Sequence, residues 1–184
     1  MKIGILGSSF NPPHNAHLKI SEESIKIFGL DEVWWMITKK NPLKNMKKYL
    51  PFKERMEKIS SLINTKKIKA VHFEDEVKSN FLIDNIKYIK KEFSNDSFIF
   101  LMGSDSFTEM NKWKDCDEIF NQIPIAVFNR QSSENEIVSS EIAKKYKRFR
   151  ISLCLKEDMC KKIPSWIFIG EFNENISSTL LRSQ

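Results

Sequence analysis

The stretch MKIGILGSSFNPPHNAHL, residues 1–18, decides the fold. Its apolar run at residues 2–6 predicts a buried strand, which leads directly into a Gly-Ser-Ser turn at residues 7–9. Two prolines follow, and we expect a helix to begin near Pro13, because proline is tolerated in a first helical turn where its missing N–H would have no partner. The chain therefore opens with a strand, a tight turn and a helix.

The same alternation of strand and helix continues along the chain. Near-continuous apolar runs, typical of strands covered on both faces, predict five further strands at 32–38, 68–73, 97–102, 125–129 and 166–170. Apolar residues at helical spacing predict helices at 16–28, 52–63 and 81–93, and weaker patterns add helices at 140–148 and 156–162. We therefore expect one α/β domain over residues 1–184, with an open parallel sheet and helices on both faces.

The composition limits the classes of protein to which the chain can belong. Its 184 residues, 41% of them hydrophobic, are enough to bury one sizeable core. The net charge of +6 suggests a nucleic-acid partner, but only five of the 30 basic residues are arginine, and the lysines are spread among 24 acidic residues. Nucleic-acid readout relies on arginine and a clustered basic face, so we expect no nucleic-acid partner. The lysine-rich stretch at residues 39–48 is either a solvated loop or a loop that faces a polyanion.

Targeting signals and cysteine pairs are both missing from the sequence. It shows neither a signal peptide nor an apolar run of the roughly 20 residues that a membrane span needs, so we expect no membrane partner. Cys116, Cys154 and Cys160 are odd in number and form no C-x-x-C pair, which indicates neither a zinc site nor a disulfide framework. The expected location is therefore a reducing cytoplasm.

Two of the three histidines, His14 and His17, lie in the opening stretch, three residues apart. In a first helical turn they would share one face, beside free backbone N–H groups and the positive end of the helix dipole. Open parallel sheets bind their ligands at the carboxyl ends of the strands, which is where this turn is predicted to lie. The pattern favours an anion site aimed at phosphate groups.

Other interpretations of the two histidines stay open at this point. A metal site lacks a third ligand nearby, because H-E-x-x-H is absent and His72 lies on a predicted strand. A serine nucleophile would need a G-x-S-x-G elbow, and a dinucleotide site would need G-x-G-x-x-G; the sequence has neither. The remaining alternative is a pair of solvent-facing histidines in an ordinary first turn.

Further candidate residues are predicted at the same edge of the sheet. Gly103 and Asp105 follow an apolar strand, where Asp105 is also a candidate N-cap, and Arg130 ends another strand. Trp113 is either a packing residue of a helix or an aromatic ring that stacks on a ligand. The Ser-Ser-Thr run at 177–179 predicts a helix start with hydroxyl caps and free N–H groups.

Residues 7–17, GSSFNPPHNAH, resemble the G-G-[T/S]-F-[D/N]-P-x-H-x-[G/A]-H signature of the nucleotidylyltransferase superfamily, with Ser8 in place of the second glycine. Three further stretches are similar to one branch, the bacterial nicotinate-nucleotide adenylyltransferases. They are VWWMITKKNPLK at 33–44, FIFLMGSDSFTEMNKWKDCDEIF at 98–120 and ISSTLLRS at 176–183. A T-x-x-T pattern of that branch falls within residues 81–85, where both threonine positions are altered.

The resemblance implies a Rossmann-like fold of the nucleotidylyltransferase type and the transfer of AMP from ATP to nicotinate mononucleotide, with release of pyrophosphate. It implies that His14, His17 and Arg182 are catalytic, and that Mg²⁺ arrives with ATP without a dedicated set of protein ligands. The implied ATP-binding and phosphate-binding residues are Gly7, Ser8, Ser9, Phe10, Lys44, Gly103, Asp105, Ser177, Ser178 and Thr179. The implied mononucleotide-binding residues are Lys44, Asp84, Trp113 and Arg130.

The nearest alternatives are enzymes that use another acceptor, namely nicotinamide mononucleotide, phosphopantetheine or glycerol phosphate. The phosphopantetheine branch usually carries threonine where this chain has His14, which argues against that acceptor. An alternative from a different class is a nucleotide-binding module without catalysis, and the presence of both histidines and of Arg182 argues against it. Nicotinate and nicotinamide both stay open as the acceptor base, as does the oligomeric state.

Overall fold

The computed structural model describes residues 1–39, 49–130 and 134–170. Its strands are β1 (Lys2–Ser8), β2 (Glu32–Ile37), β3 (Ile68–Val71), β4 (Ser97–Gly103), β5 (Ile125–Phe128) and β6 (Trp166–Ile169). They form one sheet in the order β3-β2-β1-β4-β5-β6, and all five neighbouring pairs are parallel. All six predicted strands are present, and the prediction of a parallel sheet is confirmed.

Eight α-helices lie within the described residues. They are α1 (Asn15–Phe28), α2 (Phe52–Leu62), α3 (Glu74–Val77), α4 (Leu82–Glu92), α5 (Ser104–Thr108), α6 (Cys116–Gln122), α7 (Glu134–Ser139) and α8 (Glu141–Lys145). Short 3₁₀ segments occupy Met110–Lys112, Lys147–Phe149 and Leu153–Lys161. Within the described ranges no helix is long and apolar enough to cross a membrane.

Both faces of the sheet are covered, because successive side chains of a strand point to opposite faces. In β2, Trp34 belongs to an apolar cluster that includes Ile86 of α4, whereas Trp35 belongs to a second cluster that includes Ile20 of α1 and Ile59 of α2. Continuous apolar strands are expected from such two-sided burial. The predicted arrangement of helices on both faces is confirmed.

The strand order reverses at β1, which therefore marks the position of a ligand crevice. β1 pairs with β2 on one side and with β4 on the other, so that Ser8 lies opposite Ile37 and Leu6 lies opposite Leu101. Segments that leave the carboxyl ends of these central strands run in different directions and open a cleft between them. Gly7 and Ser8, predicted to belong to a tight turn, are the last two residues of β1, and the turn that begins at Ser9 lies at this point.

Helix α1 begins at Asn15, one residue before the predicted start at 16 and two residues after Pro13. Pro12 and Pro13 precede the helix, and His14 is its N-cap, with an extended backbone at φ −152° and ψ 168°. The predicted helix over 16–28 is therefore confirmed, but the prolines belong to the turn that leads into the helix and not to its first turn. Buried residues of α1 recur every four positions, at Ala16, Ile20, Ser24 and Phe28.

The two weaker helix predictions are also corrected. The predicted helix over 140–148 is an α-helix only at α8, and it tightens into the 3₁₀ segment Lys147–Phe149. Helix α8 ends where Tyr146 stacks on Phe120 with the ring centroids 3.6 Å apart, and packing here overrides a longer helical pattern. The predicted helix over 156–162 is part of the 3₁₀ segment Leu153–Lys161 instead.

Candidate active site

The turn after β1 is held in shape by one buried aromatic ring. Phe10 is fully buried and has a left-handed backbone, with φ of +45°, which is uncommon for a bulky residue. Its ring stacks on Trp35 at 4.8 Å between centroids and lies 4.7 Å from the ring of His17. The Oγ of Ser8 accepts a hydrogen bond from the backbone N–H of Phe10 at 3.3 Å. Packing of Phe10 therefore fixes the backbone of the turn against the first turn of α1.

The imidazole rings of His14 and His17 lie side by side at the start of α1, with their centroids 3.8 Å apart. The backbone N–H of His14 donates a hydrogen bond to Nδ1 of His17 at 3.2 Å. Because Nδ1 accepts this bond, the proton of a neutral His17 imidazole lies on Nε2. The two rings meet as the sequence predicts, although the N-cap position of His14 rather than a shared helical face brings them together.

The environment of His14 keeps its imidazole uncharged. The residue is 6% exposed, and neither ring nitrogen has a hydrogen-bond partner within the described residues. Burial lowers the pKa of His14 to about 4, and the nearby positive charge of Arg130 also lowers it. Buried polar nitrogens without partners are costly, and a ligand oxygen that accepts the ring N–H would remove the cost of the donor nitrogen.

Arg130 is held beside this pair by the end of β4. Its backbone N–H donates to Oγ of Ser104 at 3.2 Å, and its Nη1 lies 3.5 Å from Oδ2 of Asp105. A Cβ atom on Gly103 would overlap the side chain of Arg130 and lie 2.5 Å from Oδ1 of Asp105. The lack of a side chain at Gly103 therefore makes room for the guanidinium.

A second arginine, Arg55 of α2, lies below the turn and is 1% exposed. Its Nη1 donates to the carbonyls of Ser9 and Thr38, the latter at 2.8 Å. Its Nη2 donates to the carbonyl of Lys39 at 2.8 Å, and its Nε donates to that of Leu50 at 3.2 Å. One guanidinium thus joins the segments that leave β1 and β2 to the start of α2.

Burial lowers the pKa of the Arg55 guanidinium, but arginine stays protonated in proteins. Within the described chain Arg55 donates its four hydrogen bonds to backbone carbonyls. Nearby, Oδ1 of Asn11 accepts the backbone N–H of Leu50 at 2.9 Å. The Arg55 guanidinium therefore places a buried positive charge under Ser9. This charge makes the electrostatic potential more positive on the other side of the turn, which favours binding of an anion there.

A cavity of about 360 Å³ opens from the turn toward the carboxyl ends of β2 and β4. Its inner end is formed by Gly7, Ser8 and Ser9. The other walls combine aromatic and apolar side chains with a few polar ones, namely Met36, Ile37, Thr38, Glu74, Asn80, Phe81, Leu82, Asn85, Phe100, Ser106, Lys112, Trp113 and Lys114. We call this space the aromatic cavity. Concave sites of this size and lining are typical of small-molecule sites.

Asn85, which the sequence analysis did not select, supplies the most buried polar group of the aromatic cavity. It is 4% exposed, and its Nδ2 donates to the carbonyls of Ser79 at 3.1 Å and Phe81 at 2.8 Å. These two bonds fix the orientation of the amide, so that Oδ1 is the atom left over, and Oδ1 has no partner within the described residues. A hydrogen-bond donor on a ligand would satisfy it.

Asp84, predicted to bind the mononucleotide, does not line the aromatic cavity. Its Oδ2 accepts a hydrogen bond from Oγ of Ser79 at 2.6 Å and lies 3.7 Å from Nζ of Lys114. The phase of α4 therefore turns Asn85 toward the cavity and Asp84 away from it. The stretch 81–85, within which the T-x-x-T pattern of the branch is altered, was the available signal, because it includes Asn85.

The other predicted site residues divide into three groups. Gly7, Ser8, Ser9 and Trp113 line the aromatic cavity. Gly103, Asp105 and Arg130 lie together beside His14 rather than on the cavity wall. Lys44, Ser177, Ser178, Thr179 and Arg182 lie outside the described residues. In the part of the chain that is described, no three His, Cys, Asp or Glu side chains converge as metal ligands would.

Comparisons with known proteins identify the family and the fold. The model of the cytidylyltransferase-like family matches residues 5–184. A probable nicotinate-nucleotide adenylyltransferase of Agrobacterium fabrum is 32% identical over 100% of this chain and 98% of its own length, and one of Rhizobium etli is 34% identical over 100% and 96%. The solved structure of the nicotinic acid mononucleotide adenylyltransferase of Plasmodium falciparum complexed with NaAD has the same fold. Its TM-score is 0.72 at 20% identity, over 99% of this chain and 82% of that one.

These matches confirm the resemblance that the motifs indicate. The family model covers almost the whole chain, and the two bacterial relatives align with it from end to end. The chain therefore belongs to the cytidylyltransferase-like family, among the nicotinate-nucleotide adenylyltransferases.

Proposed function

We propose that the protein transfers the adenylyl group of ATP to the phosphate of nicotinate mononucleotide, forming nicotinate adenine dinucleotide and pyrophosphate. The observation that carries this proposal is the junction at the turn after β1. The paired imidazoles of His14 and His17 begin α1 on one side, and Ser8 and Ser9 close the aromatic cavity on the other. An ATP phosphate bound at the turn would lie next to the phosphate of a mononucleotide whose pyridine ring lies in the cavity, and the new bond would form between them.

The reaction needs a clamp rather than a protein nucleophile. A phosphate oxygen of the mononucleotide attacks the α-phosphorus of ATP, and the bond from that phosphorus to the bridging oxygen of the β-phosphate breaks. Pyrophosphate leaves with the electron pair, and no proton has to be transferred. Catalysis then rests on positioning and on stabilisation of the charge that develops on the phosphates.

We assign the donors of this clamp to the two histidines. An uncharged His14 offers one ring N–H, and the tautomer of His17 places its N–H on Nε2. Arg130 and the buried charge of Arg55 supply positive potential on either side of the turn. We further propose that Lys44, Ser177, Ser178, Thr179 and Arg182 hold the phosphates, as the family pattern implies. ATP is expected to bind as its Mg²⁺ complex, with the ion on phosphate oxygens and water.

A second acceptor, nicotinamide mononucleotide, is compatible with one specific observation. Oδ1 of Asn85 is a buried acceptor without a partner in the described residues. A carboxamide NH₂ could donate to that atom, whereas a carboxylate could not. A ribose hydroxyl of either mononucleotide would satisfy the same atom, so that Asn85 alone does not select the base.

The first experiment is to measure pyrophosphate release from MgATP with nicotinate mononucleotide and nicotinamide mononucleotide in parallel. We expect turnover with the nicotinate substrate and formation of the corresponding dinucleotide. Binding of ATP without turnover of either substrate would overturn the proposed function.

The role of His17 has its own test. We expect His17→Ala to lower kcat by about a hundredfold or more, the cost usual for the loss of one oxyanion donor, with little change in the Kd for ATP. An intact kcat with weaker ATP binding would contradict a role in the transition state.

A further inference from the structure

A buried hydrogen-bonded pair, Trp35 and Ser21, connects β2 to helix α1. The indole N–H of Trp35 donates to Oγ of Ser21 at 2.8 Å, and that Oγ donates to the backbone carbonyl of His17 at 2.8 Å. Both side chains are fully buried. Because the hydroxyl has a single proton, accepting from the indole and donating to the carbonyl fixes its direction. Two consecutive hydrogen bonds thus join the sheet to the main chain of His17.

The ring of Trp35 also packs beside the side chain of His17. It stacks on Phe10 at 4.8 Å between centroids, with 13° between the ring planes, and lies 5.7 Å from the imidazole of His17. Trp35 lies opposite Leu6 in the pairing of β2 with β1, so the sheet sets its position. The indole therefore gives the imidazole a rigid neighbour, and the bond to Ser21 holds the main chain of the same histidine.

The imidazole of His17 has to keep one orientation if it is to serve as a phosphate donor. Its Nδ1 accepts the backbone N–H of His14 at 3.2 Å, which leaves Nε2 as the donor. A bond of this length is at the upper end of the usual range, so it orients the ring only weakly by itself. A small shift of the ring would carry Nε2 away from the oxygen that it has to meet.

Two neighbouring residues have the same chemistry without a connection to His17. Ser24 is also fully buried in α1, and its Oγ donates to the carbonyl of Ile20 at 2.6 Å. Trp34 is buried on the opposite face of the sheet, where its indole N–H donates to Oε2 of Glu32 at 2.9 Å. Ser24 and Trp34 therefore make the structural contribution of a buried serine and a buried tryptophan without the positioning one.

We propose that Trp35 and Ser21 are positioning residues, which hold the imidazole of His17 so that its Nε2–H meets a phosphate oxygen of ATP. Neither residue lines the aromatic cavity, and both act through His17. This inference rests on the proposed function and adds the part of the fold that orients one of its donors. The phosphate clamp then depends on β2 as well as on the turn after β1.

The first test compares kcat and the Kd for ATP in Ser21→Ala and in its matched control, Ser24→Ala. We expect Ser21→Ala to lower kcat about tenfold, because a small misplacement of a reacting group can cost up to about a hundredfold. The Kd for ATP should stay within about twofold, since the donor is used chiefly in the transition state. An unchanged kcat in Ser21→Ala would overturn the proposal, as would an equal loss in Ser24→Ala.

Trp35→Phe tests the other member of the pair, and it decides the question if Ser21→Ala does not fold. Phenylalanine keeps an aromatic ring beside Phe10 but has no N–H to donate to Ser21. We expect kcat to fall about tenfold here too, whereas Trp34→Phe should leave it unchanged. The double variant of Trp35→Phe and Ser21→Ala should lose little more than either single variant. Full additivity of the two losses would contradict action through one shared bond.

A spectroscopic test separates this inference from the proposed function. The ¹⁵N shifts of a histidine ring report which nitrogen carries the proton, and we would record them at about pH 8.5, above the range in which histidine usually titrates. His17 should be a single Nε2–H tautomer in the wild type and in Ser24→Ala, and a mixture of tautomers in Ser21→Ala. Identical spectra in Ser21→Ala and the wild type would overturn the proposal. Wild-type protein that turns over neither mononucleotide would overturn the proposed function instead, and the spectra would still decide whether Ser21 orients the ring.

Discussion

Arg55→Met should be among the most damaging single substitutions in this protein, although Arg55 does not line the aromatic cavity. The guanidinium makes four hydrogen bonds to the carbonyls of Ser9, Thr38, Lys39 and Leu50. Each hydrogen bond to a charged group is worth about 1.5–3 kcal/mol. The variant recovers the cost of burying a charge, and water can reach some of the released carbonyls. We therefore expect a net loss of about 3–5 kcal/mol, a large part of the roughly 5–15 kcal/mol that stabilises a typical domain.

Urea denaturation at pH 7.5 measures this loss as a lower midpoint with an unchanged slope. Lys58→Met on the same helix is the control, because Lys58 forms only an exposed pair with Glu54 at 3.7 Å. That variant should stay within about 0.5 kcal/mol of the wild type. A loss below about 1 kcal/mol for Arg55→Met would refute the reasoning, since it would mean that the four carbonyls find other partners at little cost.

Two further predictions concern the phosphate side of the site. The pKa of His14 is about 4 in the fold and near 6.5 when unfolded, so the unfolded chain binds a proton that the folded chain excludes between these values. The free energy of unfolding should therefore fall as the pH drops below 6.5, and His14 should account for about 2 kcal/mol of the decrease by pH 5. In urea denaturation at the same two pH values, His14→Asn should show a decrease that is smaller by this amount. Gly103→Ala keeps an ordinary backbone, with φ of −78°, but displaces Arg130. We expect Gly103→Ala to lower kcat/KM for ATP tenfold or more. Adding Gly103→Ala to Arg130→Met should lower it little further, because Arg130 is then already lost. If the losses of the two single variants instead add in full in the double variant, displacement of Arg130 is not the cause.

The strands were predictable because their apolar runs have a local cause. A strand covered on both faces has to be apolar at every position, and this holds for runs such as Trp34 to Ile37 regardless of what surrounds them. The residues at which the helices begin were harder to predict from the sequence. His14 reads as a first-turn residue, and only the extended backbone at the end of the proline turn makes it the N-cap.

The residues that the sequence analysis missed act through partners that have no signature in the sequence. Arg55 looks like any charged residue on an amphipathic helix, because its acceptors are backbone carbonyls from distant segments. The cavity lining differs from the prediction at Asp84 for a related reason, because Asn85 lines the aromatic cavity and Asp84 does not. The two neighbours differ in helical phase by about 100°, and only the packing of α4 on the sheet decides which of them faces the cavity.

The position of Trp113 has a consequence for spectroscopy. The other three tryptophans, Trp34, Trp35 and Trp166, are at most 7% exposed in the core, whereas Trp113 is half-buried. Trp113 lines the aromatic cavity and also a second hollow of about 520 Å³ that Cys116 and Ile142 border. Its indole is thus the one tryptophan chromophore that a bound pyridine ring would touch. The intrinsic emission of the unlabelled protein should therefore report occupancy of the acceptor site directly, before any bond is made.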